Sequence, residues 1–592
     1  MSEKNFWNGE DTGPERKEMA GEKQDKAINN DQTGEKTATN VAGSDENNKK
    51  ATIWLWAVGI IAAAALIVLA VVLNTGANTG EDTITEAAAG ITTDNGDIKI
   101  NWDNYNTTSV NLDNLTDSTY KITESGTYHL TGSYNGAIIV NVDHDSGKVR
   151  VILDGVEITN DSGPAIACLS ADDLVIELVG ENSVTDGETY SSDYDTDVRG
   201  AIYSADDLSF TGEGSLKVTA QFEDGIVGKD DLKFNSGTYT ITAADDGIRG
   251  TDSVYIVAGV FDITSVGDAI KSTNETDADK GFVLIEDGDF TINSSTKGIK
   301  ATNSVLIYDG TYNIVSKDDS IHSNNYVGIA GGNITVSSGD DGVHADKQLI
   351  IDAGKINVKK SYEGLEAQAI TINGGEIAVV ATDDGINAGG GADSSSRNRA
   401  GANAFDANEE CVLTINGGEL YVNAAGDGLD SNGYIYFNGG SVVVDGPTNN
   451  GDGALDSGLS ITQNGGTVIA VGASGMAETL GNNSTVNNIS VYLSGTQAAG
   501  TKISIKDSSD TEVLAHTAAK SFNHIAAGTS EFKSGETYTI YLNDAEYTSF
   551  TVSGVTTTVG NSGGNFNNMM QRGAGRYLRN DDMTNYIKSH NL

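Results

Sequence analysis

The chain has 592 residues and sets 36 Lys and Arg against 84 Asp and Glu, a net charge of −48. That balance excludes a nucleic-acid partner, which needs clustered Lys and Arg, and suits an exported or cation-binding protein. With 72 glycines, 3 prolines and 2 cysteines, the composition predicts many tight turns and neither proline-driven disorder nor a disulfide framework.

Residues 1–50 are polar, mix both charges and are short of apolar side chains, so they read as a disordered cytoplasmic tail. Residues 51–73, ATIWLWAVGIIAAAALIVLAVVL, hold no charge over 23 residues, long enough to cross a bilayer as a helix. Lys49 and Lys50 precede this anchor, so the positive-inside rule puts the N-terminus in the cytoplasm and everything after Leu73 outside. The tail holds 8 of the basic and 11 of the acidic residues, so the acidity belongs to the exported part. Residues 74–95 read as a linker.

From residue 96 to about 480 one motif recurs. It reads DGIVGKDDLKF at Asp224, DGIRGTDSVYI at Asp246, DAIKSTNETD at Asp268, KGIKATNSVLI at Lys297, DSIHSNN at Asp319 and DGVHADKQLI at Asp341. EGLEAQAITI at Glu363, DGINAGG at Asp384, DGLDSNGYIYF at Asp427 and DGALDSGLSI at Asp452 follow. Starts lie 22, 22, 29, 22, 22, 22, 21, 43 and 25 residues apart, with looser copies at Pro164 and Gly200. A fixed period near 22 with three short β-like runs and no helix-length segment predicts a parallel β-helix of about 12 coils. At one strand spacing of about 4.8 Å per coil the rod is roughly 58 Å long. The apolar position after each DG (Ile226, Ile248, Ile270, Ile299, Ile321, Val343, Leu365, Ile386, Leu429, Leu455) is the inward ladder. Cys168 and Cys411 lie about ten rungs apart, far beyond disulfide reach, and are expected as separate buried thiols. Residues 481–560 break the period with alternating strands and read as a β-rich cap; residues 561–592 read as a flexible tail.

The stretches ITESGTYHLTGSYNGAIIVNV, VRVILDGVEITNDSGPAIACLSADDLVIELVGENSVTDG, TITAADDGIRGTDSVYI and GDAIKSTNETDADKG resemble the carbohydrate-binding-domain family of parallel β-helix proteins of the clostridial cell surface. The resemblance covers roughly residues 95–480. It implies calcium-bound, pectate-lyase-like β-helices that bind acidic polysaccharide such as polygalacturonate. It implies no catalytic residue.

The residues themselves point the same way. Stacked carboxylates about 4.8 Å apart repel by about 3.5 kcal/mol at an effective dielectric of 20. Calcium between rungs would relieve this, and the candidates are Asp224, Asp245, Asp246 and Asp268, then Asp318, Asp319, Asp340, Asp341, Asp383 and Asp384. The competing reading is that Asp-Gly simply favours the turn. Beside the ladder, strand alternation predicts an outward stripe of Arg249, Lys271, Lys300, His322 and His344, suited to uronate carboxylates. The stripe continues as Glu366, Asn387, Asp430 and Asp456. Tyr203, with Tyr190, Tyr194, Tyr326 and Tyr362, could stack on sugar rings. The insert at 389–410, with Arg397 and Arg399, is expected to be a loop over this face. An enzymatic alternative is a calcium-dependent lyase with Lys271, Lys300 or Arg249 as base, disfavoured because neighbouring aspartates keep a lysine protonated. A structural alternative is a calcium-stiffened adhesin. His322 and His344, on adjacent rungs, come within reach of one metal ion, although hydrogen-bonded histidines are the commoner arrangement.

Overall fold

A computed structural model describes residues 100–389 and 407–561. The tail, the anchor, the linker, most of the insert (with Arg397 and Arg399) and residues 562–592 lie outside the described residues. Among the described residues there is no α-helix, and none long and apolar enough to cross a membrane. Two 3-10 turns, Trp102–Asn104 and Leu112–Asn114, are each capped by an asparagine side chain. Everything else regular is β, as expected from the short apolar runs and glycine-rich corners.

Each repeat supplies three strands. In the repeat beginning at Asp246 these are Ile248–Gly250, Ser253–Ile256 and Val260–Ser265. In the next they are Ile270–Ser272, Phe282–Ile285 and Asp289–Ser294. Each strand pairs in parallel with its counterpart one repeat on: Ile248 with Ile270, Val254 with Val283 through Tyr255 with Leu284, and Phe261 with Phe290. The wider spacing after Asp268 is an insertion between Ser272 and Phe282 that leaves this register intact.

All ten ladder residues from Ile226 to Leu455 pair with one another in sequence. Each is at most 1% exposed. The ladder also runs back through Ile202, Ile166 and Ile138 to Tyr120. Facing it, Tyr239, Phe261, Phe290 and Tyr312 stack at 4.7–5.0 Å between centroids. The hydroxyls of Tyr239 and Tyr312 donate to the carbonyls of Ser236 and Asp309, which satisfies the polar tips of buried rings. The turn into the third strand needs glycine. Gly310 sits at φ +112°, and a Cβ there would meet the Gly288 carbonyl oxygen at 2.7 Å. At another corner Asn416, Asn438 and Asn464 each donate a side-chain N–H to the asparagine one repeat earlier.

The parallel stacking of repeats ends at Thr467–Gly472, which runs antiparallel to Phe522–Gly528. A separate four-stranded antiparallel sheet holds Lys502–Lys506, Glu512–Thr517, Thr537–Leu542 and Ala545–Thr551. Its core, with Ile503, Ile505, Phe532 and Tyr538, is distinct from the ladder core. Cys168 and Cys411 are buried free thiols.

Candidate carbohydrate-binding face

The recurring aspartate of the D-G motif has a backbone reason. The aspartate two residues before the ladder position accepts the N–H of its counterpart on the next rung through Oδ1. Asp224 accepts from Asp246 at 3.1 Å, Asp246 from Asp268 at 2.9 Å, and Asp268 from Lys297 at 3.1 Å. Asp319 accepts from Asp341 at 2.9 Å, Asp341 from Glu363 at 3.3 Å, and Asp384 from Asp427 at 2.6 Å. The glycine follows because rungs approach closely: a Cβ on Gly247 would lie 2.6 Å from the Ala269 carbonyl oxygen. At the last rung the chain gains one residue. The register of Leu429 with Leu455 puts Gly453, not Asp452, after Asp427, and its N–H donates to Asp427 Oδ1 at 2.5 Å.

The second oxygens of Asp224, Asp246, Asp268, Asp319 and Asp341 face the stripe. Arg249, Lys271, Lys300, His322, His344, Glu366, Asn387, Asp430 and Asp456 do form one continuous column. Below Arg249 the column continues to Val227 and Tyr203. Most of its cations are already engaged. Arg249 lies 3.5 Å from Asp224, and Lys271 lies 2.6 Å from Asp246 and 3.3 Å from Asp268. Burial acts against the Lys271 ammonium, but Asp246 and Asp268 outweigh it and hold its pKa above the ordinary lysine value. Lys300 differs: it is half-buried and, among the described residues, takes part in no ion pair.

Several sequence expectations need correction. His322 and His344 are not outward surface residues; they are 1% and 0% exposed. Alternation told which face they point to but not that neighbouring side chains cover it. Tyr203, at 5% exposure, lies in a small apolar cluster with Val198 and Val227, against which Tyr190 and Tyr194 pack. Its ring is therefore not a sugar platform. Tyr326 is likewise buried, beside Phe282 and Leu306. Tyr190 stacks on Phe222 at 4.5 Å and donates its hydroxyl to Asp186.

Two cations that the sequence reading passed over matter more. Arg199, just before the rung that starts at Gly200, reaches Glu223 and Asp224 at 3.0 Å and Asp245 at 3.2 Å. Lys297, which seemed only to interrupt the acidic series, is 4% exposed and lies 3.0 Å from Asp318 and 2.7 Å from Asp319. The cluster of Asp224, Asp245 and Asp246 is thus neutralised from within the chain by Arg199, Arg249 and Lys271.

Toward the C-terminal end the balance reverses. Asp427, Asp430 and Asp456 bring carboxylate oxygens within 4.8 Å of one another. Among the described residues no ion pair reaches Asp384, Asp427, Asp430 or Asp456. Burial, then the neighbouring carboxylates Asp427 and Asp383, push Asp384 up to about 8. Asp427 is pushed up to about 7 and Glu478 to about 8, burial leading in both. An all-oxygen donor set short of positive charge fits a hard divalent cation; the Arg199-bound set does not.

Residues 116–385 match a family model described as carbohydrate-binding domain-containing protein. A curated carbohydrate-binding domain-containing protein of Acetivibrio thermocellus is 36% identical over 162 residues, 26% of this chain and 56% of that protein. The chain thus spans a little over half the length of that relative. A solved structure, described as a polysaccharide lyase-like protein from C. thermocellum in a gadolinium derivative, is 32% identical. It covers 41% of this chain and 96% of its own, with a TM-score of 0.35. The family match and the curated relative support a carbohydrate-binding family for residues 116–385.

Proposed function

We propose that this chain is a calcium-dependent carbohydrate-binding protein, a parallel β-helix that recognises acidic polysaccharide of the polygalacturonate class. On this reading residues 51–73 anchor it in the cell membrane and the β-rich part lies outside. The observation that carries it is Lys300. It stands in one column with Arg249 and Lys271, inside the family-matched segment, half-buried and, among the described residues, in no direct ion pair, although its charge acts on Asp268. A uronate carboxylate would give Lys300 a direct partner through a charge-assisted hydrogen bond.

Calcium enters where the chain leaves carboxylates without cations, at Asp427, Asp430 and Asp456 with Asp384 beside them. Of the aspartates first favoured, Asp224, Asp246 and Asp268 hold arginine or lysine partners and are the weaker candidates. Lyase chemistry is the weaker reading, because Lys271 is held protonated by Asp246 and Asp268 and cannot serve as a base near neutral pH. Affinity electrophoresis through gels containing polygalacturonate, with calcium or with EDTA, tests the proposal. Retardation only with calcium supports it. Equal mobility with and without the polymer removes it.

A further inference from the structure

One cluster is not absorbed by glycan binding. His322 and His344 sit on adjacent rungs with rings stacked at 4.9 Å and 13°. Both are buried, as are Asp319, Asp341 and Glu366 around them. His322 Nδ1 lies 2.9 Å from Asp319 Oδ2; His344 Nδ1 lies 3.1 Å from Asp341 Oδ2 and 2.8 Å from Glu366 Oε2.

The far nitrogens are spoken for. His322 Nε2 faces Asn324 Oδ1 at 2.9 Å, and His344 Nε2 faces Asp346 Oδ1 at 3.1 Å. Both oxygens are acceptors, so both Nε2 atoms carry hydrogen. A hydrogen-bond acceptor on the non-ligating ring nitrogen is how a metal-binding histidine is oriented, and here one recurs two residues after each histidine. With hydrogen on Nε2, each Nδ1 faces carboxylate oxygens, an arrangement that needs a proton or a metal ion between them. Protons would make two stacked, buried imidazolium rings, each paired separately with its own carboxylates, Asp319 for one and Asp341 and Glu366 for the other. One metal ion satisfies both rings at once.

We propose that His322 and His344 with Asp319, and Asp341 or Glu366 as fourth ligand, form a site for one divalent d-block cation of the Zn2+ class. The ligand atoms of Asp319, His322 and His344 lie within 4.8 Å of one another. Donors around a tetrahedral ion with bonds of 2.0–2.1 Å are roughly 3.3 Å apart, so the two rings must tilt toward each other across the rung spacing. Lys297, 2.7 Å from Asp319 Oδ2, is the competing cation and limits Asp319 to one metal bond. Imidazole ligands disfavour calcium, so this site is separate from the carboxylate cluster near Asp427 and does not depend on glycan binding.

The test uses EDTA-treated full-length chain titrated with Co2+ and then Zn2+. A visible Co2+ band that Zn2+ displaces is expected, weakened at least tenfold by Asn324→Ala and lost in His322→Gln and His344→Gln. Should the histidine variants fail to fold, X-ray absorption of the Zn2+-loaded wild type decides. Two imidazole ligands support the site. An oxygen-only shell, or no Co2+ retained by the wild type after desalting, overturns it.

Discussion

Asp246 accepts the backbone N–H of Asp268 at 2.9 Å, while its own N–H donates to Asp224 at 3.1 Å. One residue per rung thus ties three successive repeats together, and the second carboxylate oxygen of Asp246 holds Lys271 at 2.6 Å. Asp246→Asn keeps an acceptor oxygen, whereas Asp246→Ala leaves a buried N–H unmet. Both lose the charge facing Lys271, so their difference isolates the backbone bond. Chemical denaturation should find the alanine variant less stable than the asparagine variant by about 1–3 kcal/mol. Equal stability would mean that the D-G repeat serves only the turn.

Among the described residues, Lys297 is the one cation that stands at an aspartate position of the ladder. Removing it leaves the neighbouring carboxylates of Asp318 and Asp319 without the ammonium that bridges them. Lys297→Met should cost about 3–5 kcal/mol. The exposed Lys217 provides the control: Lys217→Met should change stability by less than about 0.5 kcal/mol.

The apolar ladder makes a separate prediction. Ile299 is fully buried between Ile270 and Ile321. Ile299→Ala should destabilise by about 2–5 kcal/mol, through lost transfer energy and the cavity left behind.

How much of this was legible follows from what a repeat reveals. The period of the D-G motif fixed which apolar residues stack, so the ladder and the column beside it could be read residue by residue. Stacking is translation along one direction, and a sequence period encodes it. Contacts between columns are not encoded that way. That Asp246 folds toward Lys271, and that Tyr203 is overlaid by Tyr190 and Tyr194, depends on side-chain paths across the face. Arg199 was missed because it sits before a degenerate copy of the motif, and Lys297 because it replaces the expected aspartate. The single-residue gain before Leu455 shifted Asp452 out of the acidic column, which only the strand register reveals.

Acidity should act on the C-terminal carboxylates in an unusual direction. Asp384, Asp427 and Glu478 bind protons more tightly folded than unfolded, with folded values of about 8, 7 and 8. Unfolded carboxylates titrate near 4. Their contribution is therefore fully present below about pH 4 and lost as pH rises through about 7 to 8. In EDTA the melting temperature should fall between pH 5 and pH 8.5. Calcium binds the ionised form, so its stabilisation should be larger at pH 8 than at pH 5. A calcium shift that shrinks as pH rises would remove these residues from the metal site.

The most direct measurement of the central claim is calorimetric titration of calcium-loaded protein with polygalacturonate oligomers, comparing wild type with Lys300→Ala. Lys300 takes part in no described ion pair, so the variant should melt like wild type while its affinity falls roughly tenfold or more, the loss of one charge-assisted hydrogen bond. Unchanged affinity in a folded Lys300→Ala protein would contradict recognition of acidic glycan along this column.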